Sequence, residues 1–391
     1  MPWKETDVLS QRIEFVVRAR SGDESISNLC REFGVSRKTG HKWLRRYKEG
    51  GFPLLSDRSR RPRGQPKKTP KLIEDRVVEL RLEYGWSGPK LHELLKREGV
   101  LLSTATIDRI IKRRGMVSKA ASSKAATKRF ERSRPNDLWQ MDFKGEYLLR
   151  GRDRCYPLSI LDDHSRYAVG LFALTRPSRE HVQPCIERCF ENYGVPEAML
   201  MDHGTPWWHA NNAHGLTRLS VGLIKQGVRL IYGSIAHPQT QGKVERFHRT
   251  MKQEVKHRGV PQTVEGMAKT LSHFRQIYNE IRPHEALDMD VPSARYTPSP
   301  RPFNPNPPEW EYPQGADVRR IYDAGTILYR GRLYYACKAL AGERVWCREM
   351  DNRLLVTYRH MYIREIDLDT GRTTAVVRPV SRSISRMYMC R

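Results

Sequence analysis

Three carboxylates stand where an unpaired charge is out of place. Asp142 follows Leu-Trp-Gln-Met in a run with the alternation of a central strand. Asp202 follows Ala-Met-Leu-Met and precedes His-Gly, a strand end and its turn. Glu245 lies early in a helical pattern whose Val244, Phe247, Met251 and Val255 share one face, while Glu245, Arg249 and Lys252 share the adjoining face. A carboxylate inside a strand is costly unless it is paired or binds a metal, and strand ends of α/β sheets collect functional groups. Hard divalent cations prefer carboxylate oxygens. Two of them about 3.5–4 Å apart can clamp the attacking and leaving oxygens of a phosphodiester transfer. Asp142, Asp202 and Glu245 are therefore expected to be both catalytic and metal-binding. Glu146 lies on the strand face of Asp142 but about 13 Å along it, too far to share an ion. Asp162 and Asp163 read as turn-shaping residues. No Arg/His/Arg/Tyr set suited to a covalent protein–DNA intermediate is present.

The elements that must position these acids form a mixed α/β core over 136–290. Strands are expected over 138–147, 156–161, 167–174, 198–201 and 228–232, and helices over 216–226, from Gly242 and over 266–281. Another helix should start near Gln183, with Pro184 at its first position, and end at Gly194. The segment from Trp207 to Asn212 reads as an inserted loop.

Helical modules precede the core. Residues 1–51 read as a helix-turn-helix, with Gly34 in the turn and Ser36 capping a basic helix. Its Arg37, Lys38, His41, Lys42, Arg45 and Arg46 are candidate DNA contacts. Gly40 should weaken that helix by about 1 kcal/mol relative to Ala. Residues 52–68 are a basic linker and 69–116 a second helix-turn-helix module, with Arg109, Lys112 and Arg113 facing outward. A further basic linker covers 117–135. After the core, 291–316 form a Pro-rich linker, 317–368 alternate like the short strands of a small β-barrel, and 369–391 form a basic, poorly ordered tail.

Across 391 residues, 70 Lys and Arg outnumber 44 Asp and Glu, a net charge of +26. Neutralisation by a polyanion relieves such self-repulsion, and nucleic acid is the expected partner. The 7 cysteines form no Cys-x-x-Cys pair, which argues against structural zinc and a disulfide framework. No apolar leader or membrane-spanning run is seen, so a soluble cytoplasmic protein, associated with the nucleoid when on DNA and without a membrane partner, is expected.

Trp139-Gln140-Met141-Asp142, Met201-Asp202-His203-Gly204 and the run from His237 to Arg246 together resemble DDE transposases and retroviral-type integrases. So do Leu161 to Tyr167 and Tyr278-Asn279-Glu280-Ile281-Arg282-Pro283-His284. The resemblance covers roughly residues 8–290 and is closest to bacterial insertion-sequence transposases with an integrase-type core. It implies a ribonuclease-H-like fold, two Mg2+ or Mn2+ ions on Asp142, Asp202 and Glu245, and a multimer on paired transposon ends. It further implies cleavage at terminal inverted repeats and joining of the 3′-OH to target DNA. Arg249 and Lys252 match positions that contact terminal DNA, and Lys243 is added to the expected DNA contacts. This chain departs from the pattern at His203, where Asn is common, and at Gly40, usually apolar. Forty-two residues lie between Asp202 and Glu245, more than is usual in that family. Two other readings share the core: a catalytically silent DNA-binding regulator, and a nuclease for RNA–DNA hybrids, which leaves the helical modules unexplained.

Overall fold

The computed structural model describes residues 7–58, 68–117, 131–209, 215–233 and 242–380. They belong to two compact units, Met1–Pro70 and Lys71–Arg391.

The first unit holds α1 (Val8–Ser21), α2 (Ile26–Glu32) and α3 (Arg37–Gly50). Asp7, Ser25 and Ser36 cap them by accepting the N–H groups of Ser10, Asn28 and Thr39. Phe15, Val16, Leu29, Cys30, Trp43 and Leu55 form the core. Gly40 is buried where α3 crosses its neighbours: a Cβ there would lie 2.5 Å from Cys30 Sγ and 2.8 Å from Phe15 Cζ. The glycine that weakens the isolated helix is the one that lets it pack.

The second unit opens with α4 (Lys71–Tyr84), α5 (Gly88–Arg97) and α6 (Thr104–Arg113), followed by β1 (Trp139–Phe143), β2 (Tyr147–Leu148), β3 (Arg154–Asp162) and β4 (Ala168–Leu174). Next come α7 (Arg179–Tyr193), β5 (Ala198–Met201), β6 (Trp208–His209), β7 (Gly215–Leu216), α8 (Arg218–Lys225), β8 (Arg229–Tyr232), α9 (Gly242–Arg258) and α10 (Val264–Glu280). Antiparallel β3 lies between β1 and β4, while β5 runs parallel to both β1 and β8. The parallel pairs follow from the helical crossovers α7 and α8. Trp139, Met141, Ile160, Val182, Ile186 and Phe190 fill one side of the sheet. On the other, Leu161 and Leu171 meet Val244, Phe247 and Met251 of α9 and Leu271, Phe274 and Tyr278 of α10. Helix α7 starts at Arg179, four residues before the expected Gln183, because Pro184 inside the second turn removes only its own bond to the Glu180 carbonyl.

The helices α4–α6 do not form a closed core of their own. Ile277 of α10 is buried among Val77, Leu80, Leu91, Leu95, Ile107 and Ile110. Arg97 donates to the Ile281 carbonyl at 3.1 Å, and His257 Nε2 lies 2.9 Å from the Leu82 carbonyl.

After the core come α11 (Pro292–Arg295), β9 (Val318–Arg320), β10 (Thr326–Tyr329), β11 (Arg332–Tyr335), β12 (Arg344–Met350), β13 (Arg353–Tyr358), β14 (Met361–Asp367) and β15 (Thr373–Pro379). The Pro-rich stretch is not a free tether. Tyr296 stacks on Tyr167 with centroids 4.3 Å apart, the Val195 N–H donates to the Arg301 carbonyl, and Arg301 reaches the carbonyls of Pro196 and Gln226. The expected small β-barrel is instead an open antiparallel sheet, β15-β14-β13-β12-β9, beside a separate β10–β11 hairpin; the two edge strands do not pair with each other. The expected poorly ordered tail begins with a strand, because 373–379 pair with β14; its residues 381–391 lie outside the described residues. Most of the basic linker residues, at 59–67 and 118–130, also lie outside them. Among the described residues, no helix is long and apolar enough to cross a membrane.

Candidate active site

The sheet brings the two aspartates together by register. Trp139 pairs with Met199 and Gln140 with Leu200 in the parallel β1–β5 ladder. Continuing that register two residues sets Asp142 beside Asp202, on strands about 4.8 Å apart. Asp142 shares its face with Gln140, on the side away from Trp139 and Met141. Its side chain keeps 21% exposure. Its carboxyl is pushed up to about 7, first by burial and then by the nearby carboxylates of Asp202 and Glu245.

Asp202 is held through one oxygen. Its Oδ1 accepts the Gly204 N–H at 2.9 Å and the Trp207 indole N–H at 2.6 Å. Trp207 was expected to open an inserted loop; it is buried in the main core, and β6 beyond it pairs with β7 as a short hairpin. Residues 210–214 lie outside the described residues.

Glu245 is exposed in the first turn of α9, with Arg249 and Lys252 exposed along the same helix and Val244, Phe247, Met251 and Val255 buried, as the spacing predicts. The run His237 to Gln241 lies outside the described residues. Lys243 points elsewhere than the expected DNA: its ammonium is 2.6 Å from Oδ1 of fully buried Asp163 and donates to that residue's carbonyl at 3.0 Å. Asp163 also accepts from Gln140 and the Arg132 N–H, while Asp162 accepts from Asn136, Ser165 N–H and Ser165 Oγ. These two acids close the β3–β4 turn and anchor the start of α9.

His248 carried no role in the sequence reading. It is buried with Nε2 2.9 Å from Ser159 Oγ and Nδ1 3.8 Å from Asp142 Oδ2. Burial and then the charge of Lys144 lower it to about 4, so it is neutral near pH 7 and offers Asp142 a dipole, not a charge. Its signal in the sequence is a polar residue inside the apolar stripe Val244, Phe247, Met251.

The chemistry of this donor set fits a divalent cation. Asp142 is a desolvated carboxyl beside two others, and no Lys or Arg pairs with it among the described residues. Among those residues, no three Asp, Glu, His or Cys side chains yet close to metal-ligand spacing. The acids are neighbours by charge, with Glu245 on the open side.

Of the expected DNA contacts, Arg37, Lys38, His41, Lys42 and Arg45 are exposed on α3, although Arg45 lies 3.8 Å from Glu49. Arg46 is half-buried against the Trp43 ring, 4.8 Å from its centroid. On α6, Lys112 is exposed, Arg109 bonds back to Ala105 and Thr106, and Arg113 pairs with buried Glu74 at 3.1 Å.

Comparison with known proteins agrees with this layout. Residues 132–222 and 226–292 each match an integrase core domain, 11–63 match a helix-turn-helix domain, and 39–111 match a homeodomain-like domain. An uncharacterized protein of insertion element IS407 from Burkholderia multivorans is 26% identical over 239 residues, 57% of this chain and 79% of that protein. The transposase of transposon Tn552 from Staphylococcus aureus is 22% identical over 265 residues, 59% of this chain and 53% of its own length. Among solved structures, the HTLV-2 integrase catalytic core domain in complex with magnesium aligns at a TM-score of 0.33 and 11% identity, covering 42% of this chain and 97% of that one. The simian T-cell lymphotropic virus intasome in complex with PP2A regulatory subunit B56 gamma aligns at 0.39 and 11%, covering 78% and 95%. With integrase-core matches on both halves of the central sheet, helix-turn-helix matches ahead of it and relatives encoded by mobile elements, this chain is similar to insertion-element transposases with an integrase-type core.

Proposed function

We propose that the protein binds the terminal inverted repeats of its element as a multimer, cuts there, and joins the freed 3′-OH ends to target DNA at a site built on Asp142, Asp202 and Glu245. The observation that carries this reading is Asp142, whose buried carboxyl is pushed up to about 7 beside two further carboxylates. Such a cluster is unfavourable by itself and is stabilised by divalent charge. Two Mg2+ or Mn2+ ions, when bound, supply Lewis-acid stabilisation and an activated oxygen for in-line displacement. Asp142 and Asp202 present oxygens from adjacent strand ends, and Glu245 presents one from the first turn of α9. The buried stripe of α9 fixes the helix on the sheet, so its exposed Arg249 and Lys252 grip terminal DNA beside the acids. The exposed cations of α3 read or hold DNA from the first unit. No side chain becomes covalently attached to DNA.

The test is end nicking and strand transfer on a DNA duplex carrying the element's terminus, in Mg2+. Asp142→Asn, Asp202→Asn and Glu245→Gln should each lower both steps by at least about 1000-fold while leaving end binding intact. Full activity in any one of them removes that residue from the site. A second reading, a DNA-binding regulator without catalysis, rests on the exposed cations of α3 alone. End binding in Ca2+ without nicking by the wild-type chain in Mg2+ would establish it.

A further inference from the structure

Trp207 ties the two aspartates together. Its indole N–H donates to Asp202 Oδ1 at 2.6 Å, the same oxygen that takes the Gly204 N–H at 2.9 Å. Its ring stacks on Phe143, the residue after Asp142, with centroids 5.3 Å apart and planes 13° from parallel. Its carbonyl accepts the hydroxyls of Ser220 and, at 3.1 Å, Tyr232. The side chain is 1% exposed. Trp207 is thus fixed at its backbone by α8 and β8, at its ring by β1, and at its nitrogen by Asp202. Among the described residues, no hydrogen bond reaches Asp202 Oδ2.

We propose that Trp207 is a positioning residue: it occupies Asp202 Oδ1 so that Oδ2 alone is presented to a divalent cation, and through Phe143 it keeps that oxygen in step with Asp142. This rests on the metal-site reading of the three acids. An indole nitrogen cannot accept or bind a hard cation, so its effect on the ion passes entirely through the carboxylate. Groups that orient a ligand in this way commonly change metal affinity by about 10–100-fold when lost.

The experiment measures Mn2+ binding to the full-length protein by electron paramagnetic resonance, with thermal unfolding as the control for folding. One variant is Trp207→Phe. The other replaces Trp207 by benzothienylalanine, which keeps the bicyclic ring on Phe143 and removes only the N–H. Both should bind Mn2+ about 10-fold more weakly, and the benzothienyl protein should unfold within a few degrees of wild type. Wild-type Mn2+ affinity in the benzothienyl protein overturns the proposal. Asp202→Asn separates the two readings: if it also binds Mn2+ like wild type, the metal site itself is misassigned, whereas loss of Mn2+ in Asp202→Asn with full binding in the benzothienyl protein removes only the role of Trp207.

Discussion

Asp142 has a stability consequence that can be measured without DNA. Its folded carboxyl titrates near 7 against an ordinary value of 3.8, so the folded state holds the proton more tightly than the unfolded chain does. Stability from this group is full below about pH 4 and is lost as pH rises to 7, by at most about 4 kcal/mol. Asp142→Asn should therefore raise the Tm of the metal-free protein at pH 8, and the difference should vanish near pH 4. Mg2+ should raise the Tm of wild type more than that of the variant. Lys243 makes the opposite case. Its replacement by Ala leaves Asp163 buried without its cation, at a cost of about 3 kcal/mol, so Lys243→Ala should lower the Tm strongly. An unchanged Tm with weaker DNA binding would instead return Lys243 to the DNA surface. The adjacency of Asp142 and Asp202 could be suspected because a charge inside or at the end of an apolar strand pattern is conspicuous. The contact of Lys243 with Asp163 was not legible because a basic residue beside Glu245 looks alike whether it faces phosphate or a buried Asp, and the β3–β4 turn comes in from 80 residues away.

At the level of elements, the start of α9 and its buried and exposed faces were readable, since its stripe and its exposed face repeat at helical spacing; the partners of Lys243 and His248 were not. Trp207 was not, because which polar atom an indole meets depends on the closing of α8 and β8 over it. Short strands after residue 317 were legible from their alternation, but the strand at 373–379 was not, and closure into a barrel depends on edge pairing, which alternation does not encode. Gly40 offers a clean test in α3. Gly→Ala in an exposed helix stabilises by about 1 kcal/mol, yet here the added methyl meets Cys30 and Phe15. Gly40→Ala should instead destabilise the first unit by about 1–3 kcal/mol, read from thermal unfolding. A stabilised variant would mean that Phe15 and Cys30 move aside freely.

For the molecule as a whole, burial holds several histidines neutral. His248 and His360 are lowered to about 4 and His284 to about 3, each by burial first. Unfolding returns them to ordinary values near 6.5, so their contribution to stability is complete above about pH 6.5 and is lost as pH falls toward 4. This is opposite in sign to Asp142. His360 Nε2 lies 3.0 Å from the Val228 carbonyl, a bond that glutamine can also donate. His360→Gln should flatten the acid limb of the stability curve by about one proton, roughly 1.4 kcal/mol per pH unit, in denaturant titrations between pH 6.5 and 4. An unaltered slope would mean that His360 is charged in the folded state.

Helices α4–α6 share their core with α10, through Ile277, and are further tied to it by the bond from Arg97 to Ile281. The three helices and the sheet that carries Asp142 are therefore parts of one solid. Any duplex gripped by α6 is held at a set separation from the acids, whatever the length of chain that joins α6 to β1. If α6 grips a duplex and the acids cut it, this rigidity would make the protein a gauge: the place of the cut would be measured from the sequence that is gripped, without reading the bases at the cut.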